Sequence, residues 1–513
     1  MILKTWLKRL RRIACGGALL VLLLALWLPV QGEEETEYHT SVGEFYAPGV
    51  RIGVQTGSSY DLFCREHFPD SEIVYFTSFP DMILQVKSGS LDGFTTDEVS
   101  AAELLKSVDG IRYLPETLDE LDICMALPQS DAGRRLQGEL DDFLTRVKAD
   151  GTLGTVIKAW LTDDTGHQLT DHKSLEPVNG TIRLATECAY PPYDFIRNGE
   201  TVGIDVDLLI RFCREKGYGL EIIDMSFDAL IPSLGTRADI VANGITYSDE
   251  RAQRVLFTVP YSSEKTVMVV RCPAEKEDRL TGLKNSFIST FITEKSWQLL
   301  AQGLWTTVRI SLLSALFGTL LGFGICMIRR QKSGLGILLT TWYIRLLQGT
   351  PIVVLLMILY YVIFSGASVS GMTVAVIAFT LNFAAYVSEM MRTGIEAVPA
   401  GQREAALAMG YTRSGAFFRI VMPQAAQHFL PVYKGEVVSL IKSTSVVGYI
   451  TVQDLTKMSD IIRSRTYDAF FPLITTAVIY FAVAALLGYL VSRVEIRLRP
   501  DRIHRGVKGV KMQ

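Results

Sequence analysis

The chain has 513 residues, 49% of them hydrophobic and 20% charged, with a formal net charge of −3. A balance this near neutral excludes a nucleic-acid binder driven by basic charge. The apolar residues gather toward the two ends, which excludes an all-soluble chain, and the length calls for about three domains. The seven cysteines are scattered without a CxxC pair, so neither a metal cluster nor a disulfide is implied. His167 and His172 fall in a polar stretch and read as solvated side chains.

At the start, Lys4, Lys8, Arg9, Arg11 and Arg12 precede the apolar run from Ile13 to Val30. Basic residues ahead of an apolar core predict a signal peptide or signal anchor over 1–32. Cys15 precedes the apolar core, the wrong place for a lipoprotein cysteine. Residues from Glu33 onward are expected outside the cytoplasm.

Residues 42–272 have an α/β pattern. Short β-rich runs (Val50 to Val54, Ile182 to Ala185, Ile240 to Val241) alternate with amphipathic helical stretches. TIRLATECAYPPYDF, GIDVDLLIRFC, FDALIPSL and NGITYSDERAQRVLFTVPY, between 181 and 261, resemble the beginning of a type II periplasmic amino-acid-binding protein. GVRIGVQTGSSYD, GSLDGFTTDEV and DGTLGTVIKAW, between 49 and 160, resemble its later part. The order is reversed, so one circularly permuted bilobed domain is expected. Residues 42–162 would form the second lobe and C-terminal part, 163–180 a polar linker, and 181–272 the first lobe. Exchange of halves between neighbouring protomers is the alternative.

A zwitterionic ligand needs a cation for its carboxylate and an anion for its ammonium. Arg251 is able to fork onto a carboxylate, and the resemblance gives it that role within SDER. It likewise implies that Asp97 holds the ammonium and that Ser58, Ser59, Asn243, Gly244 and Thr246 form a hydrogen-bonding shell. Tyr190 and Phe227 match the aromatic walls, and Glu187 falls where many members carry an acid that reads the ligand's side chain. A strand-end glutamate that is merely solvated, or aromatics that are merely core, are the plainer alternatives.

Residues 273–302 read as a tether, polar at first (CPAEKEDRLTG) and then an interfacial helix from Phe287 to Leu300. Between 303 and 494, five apolar segments are expected to span a bilayer: 303–328, 345–366, 371–392, 428–451 and 470–492. Three basic groups follow alternate spans: Arg329, Arg330 and Lys332; then Arg392, Arg403, Arg413 and Arg419; then Arg493, Arg497, Arg499, Arg502 and Arg505 in and before the basic tail 495–513. All fall on the cytoplasmic side if the α/β domain lies outside. Lys434, Glu436 and Lys442 make the fourth span the least regular, because charges at bilayer depth need protein or water beside them.

Between the third and fourth spans, EAALAMG predicts a short helix stopped by Gly410, and Tyr411 to Val421 a second one ending before Pro423. Glu404, Ala405, Ala406, Gly410, Ile420 and Pro423 resemble the EAA signature of ATP-binding-cassette importer permeases. The histidine/glutamine-type, polar-amino-acid branch is also matched by LNFAAYVSEMMRTGIEAVP, Gln348-Gly349-Thr350-Pro351 and Lys442-Ser443-Thr444-Ser445; Gln348 and Ser443 depart from its usual residues.

The resemblance implies an α/β bilobed, type II periplasmic-binding-protein-like domain joined to an all-α transmembrane domain of the type I importer. It implies a bacterial inner-membrane subunit, not an enzyme, that passes a polar amino acid through a dimeric permease of two copies or of this chain with a second permease. No GxxxxGK[ST] occurs in the chain, so no cofactor is expected on it and ATP and magnesium would sit on a partner ATPase dimer seated on the EAA loop. A ligand-gated channel would want a pore loop inserted in the binding domain, a dehydratase would not need spans, and a sensor would need an output segment after the last one.

Overall fold

A computed structural model describes residues 38–162, 171–197, 199–273, 279–292, 296–330, 334–364 and 369–498. The expected signal segment, His167, Lys332 and most of the basic tail lie outside the described residues. The chain divides into two compact units, whose described residues are 38–300 with 457–474, and 301–456 with 475–498.

The first unit holds two large sheets and one small one. One contains β1 (Arg51–Gln55), β2 (Glu72–Phe76), β3 (Gly93–Asp97), β4 (Ile111–Tyr113) and β5 (Asp119–Ile123). The other contains β6 (Ala126–Pro128), β7 (Thr181–Thr186), β11 (Gly219–Asp224), β12 (Ile240–Val241) and β13 (Val255–Phe257), with β8 (Ala189–Tyr190), β9 (Asp194–Arg197) and β10 (Glu200–Val202) forming a small antiparallel sheet. The last strand, β14 (Ser262–Arg271), returns to the first sheet. The strand orders are β2-β1-β3-β14-β4 and β11-β7-β12-β6-β13. In both, three strands run parallel and the fourth is antiparallel. In the second sheet, that antiparallel strand is β6, from the early half of the domain. In the first it is β14, from the late half.

Each sheet therefore takes one strand from across the expected linker, and the lobes divide at 258–261 rather than at 272. The crossings are tied by Cys124 N donating to Ile245 O at 2.7 Å and Met125 N donating to Thr258 Oγ1 at 3.0 Å. β3 is buried along its whole length, as a strand covered on both faces must be. One continuous apolar core runs from Phe79, Met82 and Phe94 in the Asp97 lobe to Tyr190, Tyr193 and Leu208 in the Arg251 lobe.

In the second unit, Ser296–Arg329, Gly371–Glu396 and Phe470–Ile496 are long and apolar enough to cross a membrane. The segment expected as one span over 345–366 is instead two helices, Gly334–Gly349 and Ile352–Ile363, bent by 108°. Pro351 explains the break, since it lacks an N–H and keeps Thr350 out of helical geometry. The described helices thus give three spans, or four with the bent pair. The stretch expected as the fourth span is helical over Met422–Ser443 with a 3₁₀ extension through Ile450, and Lys434, Glu436 and Lys442 keep it below that apolarity. It packs on Gly371–Glu396 so closely that a Cβ on Gly394 would lie 3.0 Å from Ala425 O. A large residue there would push the helices apart.

The EAA segment is a helix, Ala400–Ala408, stopped at Gly410 with φ of +88°. The next helix starts under a Thr412 cap, with Gly415 N donating to Thr412 Oγ1 at 3.1 Å. It does not end before Pro423 as expected: a π-helical turn, Phe417–Val421, carries it into Met422–Ser443. Pro423 sits just past that π-helical turn, a local widening of the hydrogen-bond ladder with which a continuous helix takes up a residue that lacks an N–H.

Candidate functional site

The cleft lies between the two lobes of the first unit, and its walls are the ends of strands. β1 ends in the Gly57 turn (φ +80°), which leads into the helix Ser59–His67. β3 ends at Asp97, whose Oδ1 caps the helix Glu98–Ser107 by accepting from Ser100 N at 2.7 Å. From the other lobe, β7 ends at Glu187, β12 leads to Asn243–Thr246, and Ser248 caps the short helix Asp249–Ala252 that carries Arg251.

These ends meet. Gln55 Nε2 donates to Glu187 Oε2 at 2.6 Å, and the hydroxyls of Thr96 and Tyr190 lie 3.0 Å apart. Ser59 bonds to Thr246, Tyr190 donates to Asp97 Oδ2, and Arg251 donates to Gly57 O. The lobes are closed on one another, and the space left among the lining side chains is about 20 Å³, room for one water. An amino acid needs far more, so entry requires the lobes to part.

Ser58, Ser59, Tyr190, Phe227, Asn243, Gly244 and Thr246 line this space. Arg251, Asp97 and Glu187 stand one hydrogen bond behind it. The Arg251 fork is spent on two carbonyls, Thr246 O at 3.1 Å and Gly57 O, and burial draws its pKa down to about 10, so it stays charged at neutral pH. Asp97 is 2% exposed and its burial raises its pKa, which Tyr190 and Ser100 oppose. Burial lifts Glu187 to about 7 against the pull of Lys457 and Gln55.

Sequence reasoning missed Gln55, Phe79, Met82 and Thr95, which also line the space. Gln55 stood two residues before Gly57, within a matched motif; Phe79 and Met82 lie outside every matched motif. It also missed what holds the Asn243–Gly244 corner. Asp205 Oδ2 accepts from Gly244 N at 2.9 Å and its other oxygen from Tyr261, beside the fully buried Asp194. Burial raises both carboxyls, Asp205 to about 6. Gly244 has φ of +56°, and a Cβ there would lie 2.9 Å from the Tyr193 ring, so glycine alone fits.

In the second unit, Gln348, Thr350 and Ser443 from the two matched motifs converge with Asn382, Tyr386 and Glu436 on a polar cavity of about 380 Å³. Of the EAA residues, Glu404, Ala405 and Gly410 are exposed, Ala406 is buried, and Ile420 and Pro423 are half-buried. Nearby, Glu389 pairs with Arg329 and with Arg392, whose guanidinium also reaches Glu396 at 2.8 Å.

Comparison with known proteins adds two family matches. Residues 182–403 match the bacterial extracellular solute-binding proteins, family 3, and 314–500 match the binding-protein-dependent transport system inner membrane component. The arginine transport system permease of Bacillus subtilis is 31% identical over 202 residues, 39% of this chain and 92% of that protein. The L-cystine transport system permease of the same organism is 32% identical over 209 residues, 40% of this chain and 89% of that one. A solved amino acid ABC transporter, crystallised with histidines, is 32% identical, covering 44% of this chain and 100% of that chain, with a TM-score of 0.37. The matched permeases are covered almost end to end, and a match to the solute-binding family accompanies them: the chain belongs to the permease family of amino acid ABC importers and carries a solute-binding domain in the same polypeptide.

Proposed function

We propose that this chain both captures a polar amino acid outside the cell and conducts it across the inner membrane, powered by a separate ATPase dimer. The observation that carries this reading is that a charged guanidinium and a buried carboxylate reach one cleft from opposite lobes. In the open form, Arg251 exchanges its two carbonyls for the ligand carboxylate, and Asp97 exchanges Tyr190 for the ammonium. Ser58, Ser59, Asn243, Gly244 and Thr246 complete the ligand's hydrogen bonds, while Tyr190 and Phe227 flank its side chain and Glu187 reads its end. Ligand that bridges both lobes favours closure by its better fit to the closed state.

The binding domain closes within one chain, as a permuted domain. The strand exchange supports this: β6 and β14 each complete the other half's sheet within the one chain, and cutting between β14 and β1 while joining Leu161 to Thr181 leaves those pairings unchanged. The five segments, including the bent pair and Met422–Ile450, cross the membrane with the EAA helix on the cytoplasmic side. There Glu404, Ala405 and Gly410 contact the ATPase. The permease works as a dimer, and the chain itself catalyses no reaction.

The test is calorimetric titration of the purified full-length chain with the twenty amino acids. Saturable binding of at least one polar amino acid, lost in Arg251→Ala, is expected; flat traces throughout refute the reading.

A further inference from the structure

Residues 457–474 belong to the cleft-bearing unit although they follow it far along the chain. Three side chains fix them there. Tyr467 is 6% exposed and sits in the core shared by the lobes. Arg463 Nη1 lies 2.9 Å from Asp81 Oδ1, on the helix Phe79–Ser88 that puts Phe79 and Met82 on the cleft wall. Lys457 Nζ lies 3.3 Å from Asp224 Oδ2, at the end of β11. The other Asp224 oxygen accepts from Cys188 N at 3.2 Å, one residue beyond Glu187.

We infer that Lys457 is a specificity-determining residue: its ammonium is the countercharge for Glu187 and Asp224, and it reserves the side-chain end of the cleft for a neutral, hydrogen-bonding amino acid side chain. The inference rests on the cleft being the amino acid site.

Without Lys457, two largely buried carboxylates, with Asp228 close by, would face that end of the cleft, and a ligand cation would be their best partner. With it, the charge is already met. A ligand guanidinium or ammonium at Glu187 would bring a second positive charge into the same poorly solvated space, a repulsive element of the kind that separates related ligands. Burial draws the Lys457 ammonium down, but the carboxylates of Asp224 and Glu187 outweigh it and its pKa is raised. The positive charge is therefore permanent at physiological pH. A carboxamide suits the position: Gln55 already presents one to Glu187 at 2.6 Å.

The experiment is calorimetric titration of the purified full-length chain with glutamine, asparagine, arginine and lysine, as wild type, Lys457→Gln, Lys457→Arg, and Lys457→Gln combined with Glu187→Gln. Lys457→Gln should move the arginine-to-glutamine affinity ratio toward arginine by at least about tenfold. Lys457→Arg should leave the ratio within about twofold, and adding Glu187→Gln should cancel the gain. An unchanged ratio in a folded, ligand-binding Lys457→Gln protein overturns the inference, as does a wild type that prefers arginine or glutamate to every neutral amino acid. Lys457→Met, similar in length, stands in if Lys457→Gln does not fold; failure of both makes Lys457 a packing residue and overturns it too. If the wild type binds none of the twenty amino acids, the reading of the cleft falls first and this inference with it.

Discussion

Replacing Arg251 by alanine removes the one guanidinium that the cleft holds in both of its states. In the closed form it donates to Thr246 O and Gly57 O. In the ligand-bound form proposed above, the same fork meets the ligand carboxylate. Taking away one partner of a buried, hydrogen-bonded ion pair costs about 3–5 kcal/mol, and each factor of ten in affinity is about 1.4 kcal/mol. Affinity should then fall by roughly two to three and a half orders of magnitude, from about micromolar to between about 0.1 millimolar and a few millimolar. The fold should survive. Two charge-assisted bonds to carbonyls are lost, each worth about 1.5–3 kcal/mol at most, and both carbonyls lie beside a cleft that water enters on opening. A fall in Tm of several degrees is expected, with a single cooperative transition. Calorimetry gives the affinity and a thermal melt gives the fold, both on the full-length protein. Near-normal affinity in the alanine variant would refute the role given to Arg251.

Other perturbations test other parts of the account. Because burial raises the Glu187 carboxyl to about 7 in the folded state, from about 4.5, the folded protein binds more protons than the unfolded chain in that window. Stability should therefore decline as pH rises from about 4.5 to about 7 and level off above it, and Glu187→Gln should flatten part of that slope; thermal melts across the range give the answer. Gly244→Ala should destabilise the protein by about 1–3 kcal/mol and weaken ligand binding with it, since a Cβ there meets the Tyr193 ring at 2.9 Å from a φ of +56°. Glu404 is exposed, so Glu404→Lys should change stability by no more than about 0.5 kcal/mol. It should nevertheless abolish ligand-stimulated ATP hydrolysis by the partner ATPase; unaltered stimulation would remove the coupling role from the EAA helix.

What the sequence disclosed, and what it hid, divides along physical lines. Short-range signals were legible: the Gly57 turn, Arg251 in SDER, the Gly410 stop and the lining serines all lie within a few residues of the motif that announces them. Helix breaks depended on context. Pro351, read as lying within one span, bends the Gly334–Ile363 region by 108°, whereas Pro423, read as ending a helix, is carried within one just past a π-helical turn. Long-range pairing had no local signature at all. β6 and β14 cross into the opposite lobe's sheet, and the contact of Lys457 with Asp224 joins residues far apart in the chain, so no window along the sequence holds both partners. The polar space between Gln348, Ser443 and Glu436 was hidden for the same reason, although most of its contributors stood in recognised motifs.

The central claim, that one chain captures an amino acid and carries it inward at the expense of ATP hydrolysed elsewhere, is tested most directly by reconstituting the purified chain in liposomes with and without its ATPase subunit and following a radiolabelled amino acid that the cleft binds. Accumulation above the external concentration should require both polypeptides and ATP and should vanish with Arg251→Ala. Undiminished accumulation by the chain alone, without the ATPase, would contradict the account.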